Sequence, residues 1–247
     1  MLEAPDIRGD VSPSMHPTSL AAHARALDVQ GTMGQHVYTD AHTALTVAYS
    51  CMGSLLDVRR DVEKNFATRR EIVRDGKVVR EVAYPEQFFS GVDRAMERAS
   101  RQIDSADAGI RAKISSLASR VETMLSDPST KTPVAAEIRA HAKGLTDTKR
   151  MAFIRDAINA KDKASVAALL SAPAYLSGLS KEQADVARKM AEETFAQVES
   201  AQLHAAEKVL ERVREAGGQL TAYYGEITAL RDTPEARARA AMDKLGT

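Results

Sequence analysis

Residues 86–126 read EQFFSGVDRAMERASRQIDSADAGIRAKISSLASRVETMLS. Phe89, Val92, Met96, Ala99, Ile103, Ala106 and Ile110 recur at alternating steps of three and four. That is the period of a helix burying one narrow apolar stripe, the seam of a coiled coil. After Ile110 the next step is four, and Ile114, Leu117, Val121 and Met124 then resume the pattern. The added step is a stutter, which locally unwinds a left-handed supercoil. Gly109 sits beside it as a weak point, and Ser126-Asp127-Pro128 stops the run.

Upstream, RREIVRDGKVVREVAYPEQ (69–87) alternates as a strand does, turns at Asp75-Gly76 and alternates again. Asp-Gly supplies the positive φ of a type I′ turn, so a β-hairpin is expected over 71–84. Tyr84-Pro85 ends it, and proline suits the first turn of the next helix. Before the hairpin, residues 39–70 carry a second seam: Leu45, Ala48, Met52, Leu55, Arg59, Val62 and Phe66, with Asp40 as its cap. A short connection between two helices favours antiparallel neighbours. Residues 38–128 are therefore expected to form an antiparallel helical hairpin, about 45–60 Å long, with the β-hairpin at its tip.

Residues 1–37 hold Pro5, Pro13, Pro17, Gly9, Gly31 and Gly34 and show little periodicity beyond a short helix at 19–27. They read as a flexible N-terminal arm. Residues 129–247 read as an α-helical region. A short-helix bundle occupies 132–180, opened by Thr132-Pro133, with Thr146 capping its second helix. Ser180-Lys-Glu-Gln183 is a capping box that starts a long helix over 181–216, with Val186, Met190, Phe195, Val198, Val209, Leu210 and Val213 as its stripe. Gly217-Gly218 is expected to end it. C-terminal helices follow over 218–247, the last opened by Thr233-Pro234. The fold class is thus mainly α: an elongated helical bundle with an antiparallel helical hairpin and a small β-hairpin at its tip.

Composition agrees. Aromatics are 4% of the 247 residues and tryptophan is absent, so the core leans on thin alanine-rich seams rather than on large side chains. Lys+Arg and Asp+Glu balance at 34 each, so whole-chain charge gives no argument for nucleic acid or an anionic membrane. The one cysteine, Cys51, excludes an intramolecular disulfide and reads as a small buried residue. No basic leader with an apolar core and no run of membrane-spanning length is present.

No motif names a reaction. The six histidines form no metal-ligand spacing and read as solvated. No phosphate-binding glycine loop or nucleophile elbow occurs, and Gly31-Thr-Met-Gly34 reads as linker. Glu192-Glu193 reads as an acidic pair on a solvated face. Tyr223-Tyr224 reads as packing within the chain's own helices, with an interface anchor as the alternative. No catalytic, cofactor or metal residue is assigned, and a non-enzymatic protein is expected. The one notable cluster is basic: Arg69, Arg70, Arg74, Lys77 and Arg80, extended by Arg59, Arg60 and Lys64. Against Asp61, Glu63, Glu71 and Asp75 the local balance is +4. Such a ribbon can contact a protein partner, add a strand, or enter a nucleic-acid groove. The interleaved acids equally suit salt-bridged faces.

The run RDAINAKDKASVAALLSAPAYLSGLSKEQADVARKM (155–190) resembles segments of helical proteins encoded in the structural modules of tailed phages and prophages. The resemblance carries no catalytic motif. It implies a virion or assembly component: a connector, an internal head or ejection protein, or a scaffold, the neutral charge counting against the last. It also implies a homo-oligomer with other virion proteins as partners, located in the virion or host cytoplasm. A nucleic-acid-binding accessory protein using the basic hairpin is the alternative. An enzyme with a site assembled from scattered residues is the least favoured reading.

Overall fold

The structure is a computed structural model. It describes the backbone of residues 3–65, 68–74 and 77–231, and the side chains of these residues outside 66–83. The chain is mainly helical, with eight α-helices among the described residues: α1 (Ala21–Leu27), α2 (Met33–Asn65), α3 (Glu86–Leu125), α4 (Pro133–Gly144), α5 (Asp147–Asn159), α6 (Lys163–Leu170), α7 (Lys181–Phe195) and α8 (Gln197–Ala229). Strands β1 (Thr68–Arg74) and β2 (Lys77–Ala83) pair antiparallel, Thr68 opposite Ala83 and Arg74 opposite Lys77. The turn expected at Asp75-Gly76, the seam residue Phe66 and the helix expected from Thr233-Pro234 lie outside the described residues. No helix among the described residues is long and apolar enough to cross a membrane.

The chain divides into two units. One is Met1–Arg111 with Lys208–Thr247; the other is Ala112–Glu207. In α3 the division falls within the stutter, between Ile110 and Ile114.

In the first unit, the α3 seam residues Phe89, Val92, Met96, Ala99, Ile103 and Ile110 are buried, as their spacing predicts. So are Leu45, Ala48, Met52 and Leu55 of α2. The start of α2 differs from expectation. It begins at Met33, and Asp40, expected as its cap, lies inside the helix. Gly31, at φ 75°, turns the chain just before it, and its N–H donates to Gln35 Oε1 at 2.9 Å. Gly34 is in the first turn, so Gly31–Gly34 is the helix entry rather than a linker.

Residues 3–32 are packed, where the sequence suggests a flexible arm. Two 3-10 turns, Pro13–Met15 and Pro17–Leu20, lead into α1. Met15, Leu20 and Leu27 are fully buried. Their steps of five and seven form no run of three-four or alternating spacing, so no periodic signal marks them.

The glycine pair Gly217-Gly218 does not end a helix; α8 runs through it. A Cβ on Gly217 would meet Ile103 Cγ2 at 3.3 Å, so this glycine permits close packing of α8 on α3. The chain breaks instead at Ala196, with φ −138° and ψ 38°, which separates α7 from α8.

In the second unit, α4 begins at Pro133 and ends at Gly144 as expected. Ser180 Oγ accepts from Gln183 N at 3.2 Å and Gln183 Oε1 accepts from Ser180 N at 3.1 Å, so the capping box is present. The core gathers Val121, Ile154, Ile158, Val166, Leu169 and Leu179 around Ala187 and Ala191 of α7. The expected stripe over 181–216 is met in part. Val209, Leu210 and Val213 are buried, and Met190 and Phe195 pack against the core. But Val186 of α7 and Val198 of α8 are 53% and 58% exposed, and Ala187 and Ala191 face inward in place of Val186. Small side chains let a helix approach closely, a choice that hydrophobicity alone does not reveal.

Candidate binding surfaces

The most developed polar constellation joins the N-terminal segment to α2. His42, Tyr49, Gly53, Asp57 and Arg60 are spaced seven, four, four and three residues apart, a line along one helix face. The Arg8 guanidinium crosses this line. It donates to both Asp57 carboxylate oxygens at 2.7 Å and to both Asp10 oxygens at 3.0 Å. Arg60 donates to Asp10 at 3.1 Å and to Asp57 at 3.4 Å. Arg8 holds the Asp10 and Asp57 carboxyls well below the usual carboxylate range.

The Arg8 backbone N–H donates to the Tyr49 hydroxyl. The Tyr49 ring meets the His16 ring edge-on, centroids 4.8 Å apart. His16 and His42 are buried, against the expectation of solvated histidines. Burial pushes the His42 imidazole down, and His16 adds to the shift.

Of the residues singled out in the basic ribbon, the strand register separates two sets. Partners in an antiparallel pair share a face, and faces alternate along each strand. Arg70, Arg74 and Lys77 therefore occupy positions of one face, with Glu81, Ile72 and Val79. Arg69 and Arg80 occupy positions of the other, with Glu71, Val73, Val78 and Val82. The five do not converge on a single face.

The basic residues before the strands are engaged within the chain. Arg59 donates to Glu63 at 2.9 Å, and Tyr84 donates to the same carboxylate. Together Tyr84 and Arg59 hold Glu63 below its ordinary value. Tyr84 stacks on Phe88, centroids 5.0 Å apart. Tyr224, as expected, packs within its own unit and donates to Asp93 at 2.9 Å. Arg231 donates to the same carboxylate at 2.6 Å and lies over the Phe89 ring at 4.8 Å.

Other titratable groups hold the fold together. Arg150 is buried and forks across backbone carbonyls. It donates to Ala142 at 2.8 Å and Leu145 at 2.6 Å, acceptors at the C-terminus of α4, and to Gly178 at 2.6 Å in the connection before α7. Glu192 corrects the reading of a solvated acidic pair: it is buried, accepting from Arg188 at 2.9 Å and Ser200 at 3.3 Å. Glu193 beside it is exposed. Ser200 stands between Glu192 and His204, so no imidazole links the serine to the carboxylate, as a nucleophilic triad requires.

Burial raises the Cys51 thiol, which faces Ala95 O at 3.8 Å, so it is a poor nucleophile. A cleft of about 370 Å³ between α3 and α8 is lined by Met96, Ile103, Asp107, Arg111 and Arg214. Both of its arginines pair with Asp107, at 2.5 and 2.7 Å. Among the described residues, no group of three His, Cys, Asp or Glu side chains is placed to hold a metal ion.

The Arg8 clamp escaped the sequence reading because its partners are far apart in the chain. The trace it left was the run of Tyr49, Gly53 and Asp57 at steps of four beside the α2 seam. No family model, curated protein or solved structure matches this chain.

Proposed function

We propose that this chain is a non-enzymatic structural or assembly protein, a bacteriophage virion component working through helix seams and its N-terminal segment. The observation that carries the reading is that segment. Residues 3–32 bury Met15, Leu20 and Leu27 and fasten to α2 through Arg8. A short length of chain that docks by side-chain insertion and one ion-pair clamp suits contacts between protein subunits. The buried ionic groups Arg150 and Glu192 serve internal hydrogen bonds, which agrees with a structural role. The phage assignment rests on the likeness of residues 155–190, and with it the partners: further copies of the chain and other virion proteins, in the virion or host cytoplasm.

A second reading has its own observation. Arg70, Arg74 and Lys77 share one face of the strand pair, and three cations on a ribbon can neutralise backbone phosphates. This is the nucleic-acid-binding accessory role.

Absolute mass in solution, by light scattering on size-exclusion fractions with and without DNA or RNA, separates the two. A discrete closed oligomer without nucleic acid supports the assembly role. A monomer that gains mass only with nucleic acid replaces it with the second reading.

A further inference from the structure

Strands β1 and β2 pair with each other, and no further strand joins them among the described residues. Neither strand packs extensively on a helix among the described elements. A lone two-stranded ribbon is marginal in water, and each outer edge offers its backbone groups to another strand. The register adds a conflict. Arg74 stands directly opposite Lys77, and like charges so placed destabilise a strand pair.

The outer edge of β2 can relieve both. Only two residues separate Arg74 from Lys77, so this pair closes the ladder with mutual backbone hydrogen bonds. Alternation then turns the N–H and C=O of Val78 and Arg80 away from β1, toward the outer edge.

We propose that β2 is a self-association edge: it pairs antiparallel with β2 of a second copy of the chain, about a twofold axis at Val79, to make a four-stranded sheet. Val79 then stands opposite the second copy's Val79, Val78 opposite its Arg80, and Lys77 opposite its Glu81. The β1 partners extend each row. The middle row runs Ile72, Val79, Val79, Ile72, an apolar line across four strands. The rows flanking it on the same face run Arg70, Glu81, Lys77, Arg74. Lys77 thereby gains an acidic neighbour that its own β1 partner is not.

Charge selects this edge and this register. A twofold antiparallel pair sets each residue opposite one of the same face. With five residues or more aligned, β2 can centre on Val79, Arg80 or Glu81, and β1 on Arg70, Glu71 or Ile72. Centring on Arg80, Glu81, Arg70 or Glu71 sets a charge against its own copy. Centring on Ile72 sets Arg70 against Arg74. The Val79 register alone puts no like charges opposite one another. The same conflicts leave both β1 edges unpaired, so the sheet stops at four strands. The pairing rests on the assembly reading, to which it gives a contact.

Cross-linking of the full chain tests it. In Val79→Cys with Cys51→Ser, mild oxidation should give a covalent dimer as the main product. Directly opposite residues of a non-hydrogen-bonded pair lie about 4.5 Å apart at Cα, within disulfide reach. Val78→Cys with Cys51→Ser should cross-link about tenfold more slowly or less, its two copies standing diagonal at about 7–8 Å. Sedimentation equilibrium reads the charges. Lys77→Glu and Glu81→Lys should each weaken association about tenfold, and the two together should restore it to within about threefold. Lys77→Glu also removes the conflict with Arg74, so its weaker association does not come from a lost ribbon. No cross-link at position 79, equal cross-linking at 78 and 79, or a double exchange as weak as the singles overturns the edge. An oligomer indifferent to all of these variants also overturns it, while leaving the assembly role in place. A chain that gains mass only with nucleic acid overturns both.

Discussion

Arg8 lies in the niche that Gly53 leaves on α2. A Cβ on Gly53 would approach Arg8 Cδ to 3.1 Å and Nε and Nη1 to 3.2 Å. The guanidinium is pinned at both ends by Asp57 and Asp10, so it has little freedom to retreat. Two effects therefore oppose one another at this position. Alanine within a helix is better than glycine by about 1 kcal/mol, but here it crowds the clamp. Gly53→Ala should leave the melting temperature nearly unchanged while exposing residues 3–32 to protease. In an Arg8→Ala background the same change should stabilise by the full helical amount. A double-mutant cycle by chemical denaturation measures the coupling, and strict additivity would contradict the niche.

Arg150 is the keystone of the second unit. Arg150→Met keeps the aliphatic stem but leaves the carbonyls of Leu145 and Gly178 without the Arg150 donor, while that of Ala142 keeps only the Leu145 N–H. Orphaned buried acceptors cost about 1–3 kcal/mol each, so a loss of about 3 kcal/mol or more is expected. Arg150→Lys should recover only part, because one ammonium cannot fork across the same acceptors. Gly178→Ala should also destabilise: Gly178 has φ 74°, and a Cβ there would lie 3.1 Å from the Arg150 guanidinium and from Lys143 Cα. Urea unfolding followed by exchange at amides of α4 and α5 reads all three.

The neighbouring glycines of α8 should respond differently. Gly218→Ala meets nothing within 4 Å, and should raise stability by about 0.5–1 kcal/mol. Gly217→Ala presses on Ile103 Cγ2 at 3.3 Å and should give none of that gain. Paired denaturation curves decide it. Equal gains at both positions would show that α3 and α8 do not approach as closely as described.

Acid should weaken the first unit below about pH 4. Burial alone would raise Asp107, but hydrogen bonds from Arg214 and Arg111 outweigh it and hold the carboxyl below its ordinary value. Arg231 does the same to Asp93. A depressed folded value contributes stability above the unfolded value near 4, lost as pH falls through the folded one. The slope of unfolding free energy against pH between about 5 and 3 should be shallower in Asp107→Asn than in the native chain. An unchanged slope would remove Asp107 from the account.

If the strand pair binds nucleic acid, its two faces should differ. Replacing Arg70, Arg74 and Lys77 together should flatten the dependence of log affinity on log salt by about three phosphate contacts. Replacing Arg69 and Arg80 should change it little. Equal effects from both sets would argue for diffuse attraction rather than a binding face.

What was legible in the sequence was local. Thr132-Pro133, Gly144 and the Ser180–Gln183 box mark helix ends through neighbours a few residues away, and the structure places those ends where the residues do. The α3 seam was legible because its stripe is buried along one line. The misreadings were non-local. Gly217 looks like a helix end unless Ile103 is known to lie against it. Ala187 and Ala191 look like surface residues until α5 is seen to pack there. The Arg8 clamp joins residues almost fifty positions apart, and His16 and His42 look solvated until the segment between them folds back. In each case the deciding neighbour came from another element, and periodicity carries no record of it.

The first unit is built from two stretches of chain that bracket the second. During synthesis, Ala112–Glu207 leaves the ribosome complete, with every helix of its own core already made. Met1–Arg111, made earlier, must still wait for the later half of α8 to bring Val209, Val213, Leu220 and Ile227 to its buried face. The order of maturation is therefore opposite to the order of translation: the inserted unit can close first. Until α8 arrives, the apolar side of α3 from Phe89 to Ile110 stands uncovered on the nascent chain, open to chaperones or to a sister polypeptide emerging nearby.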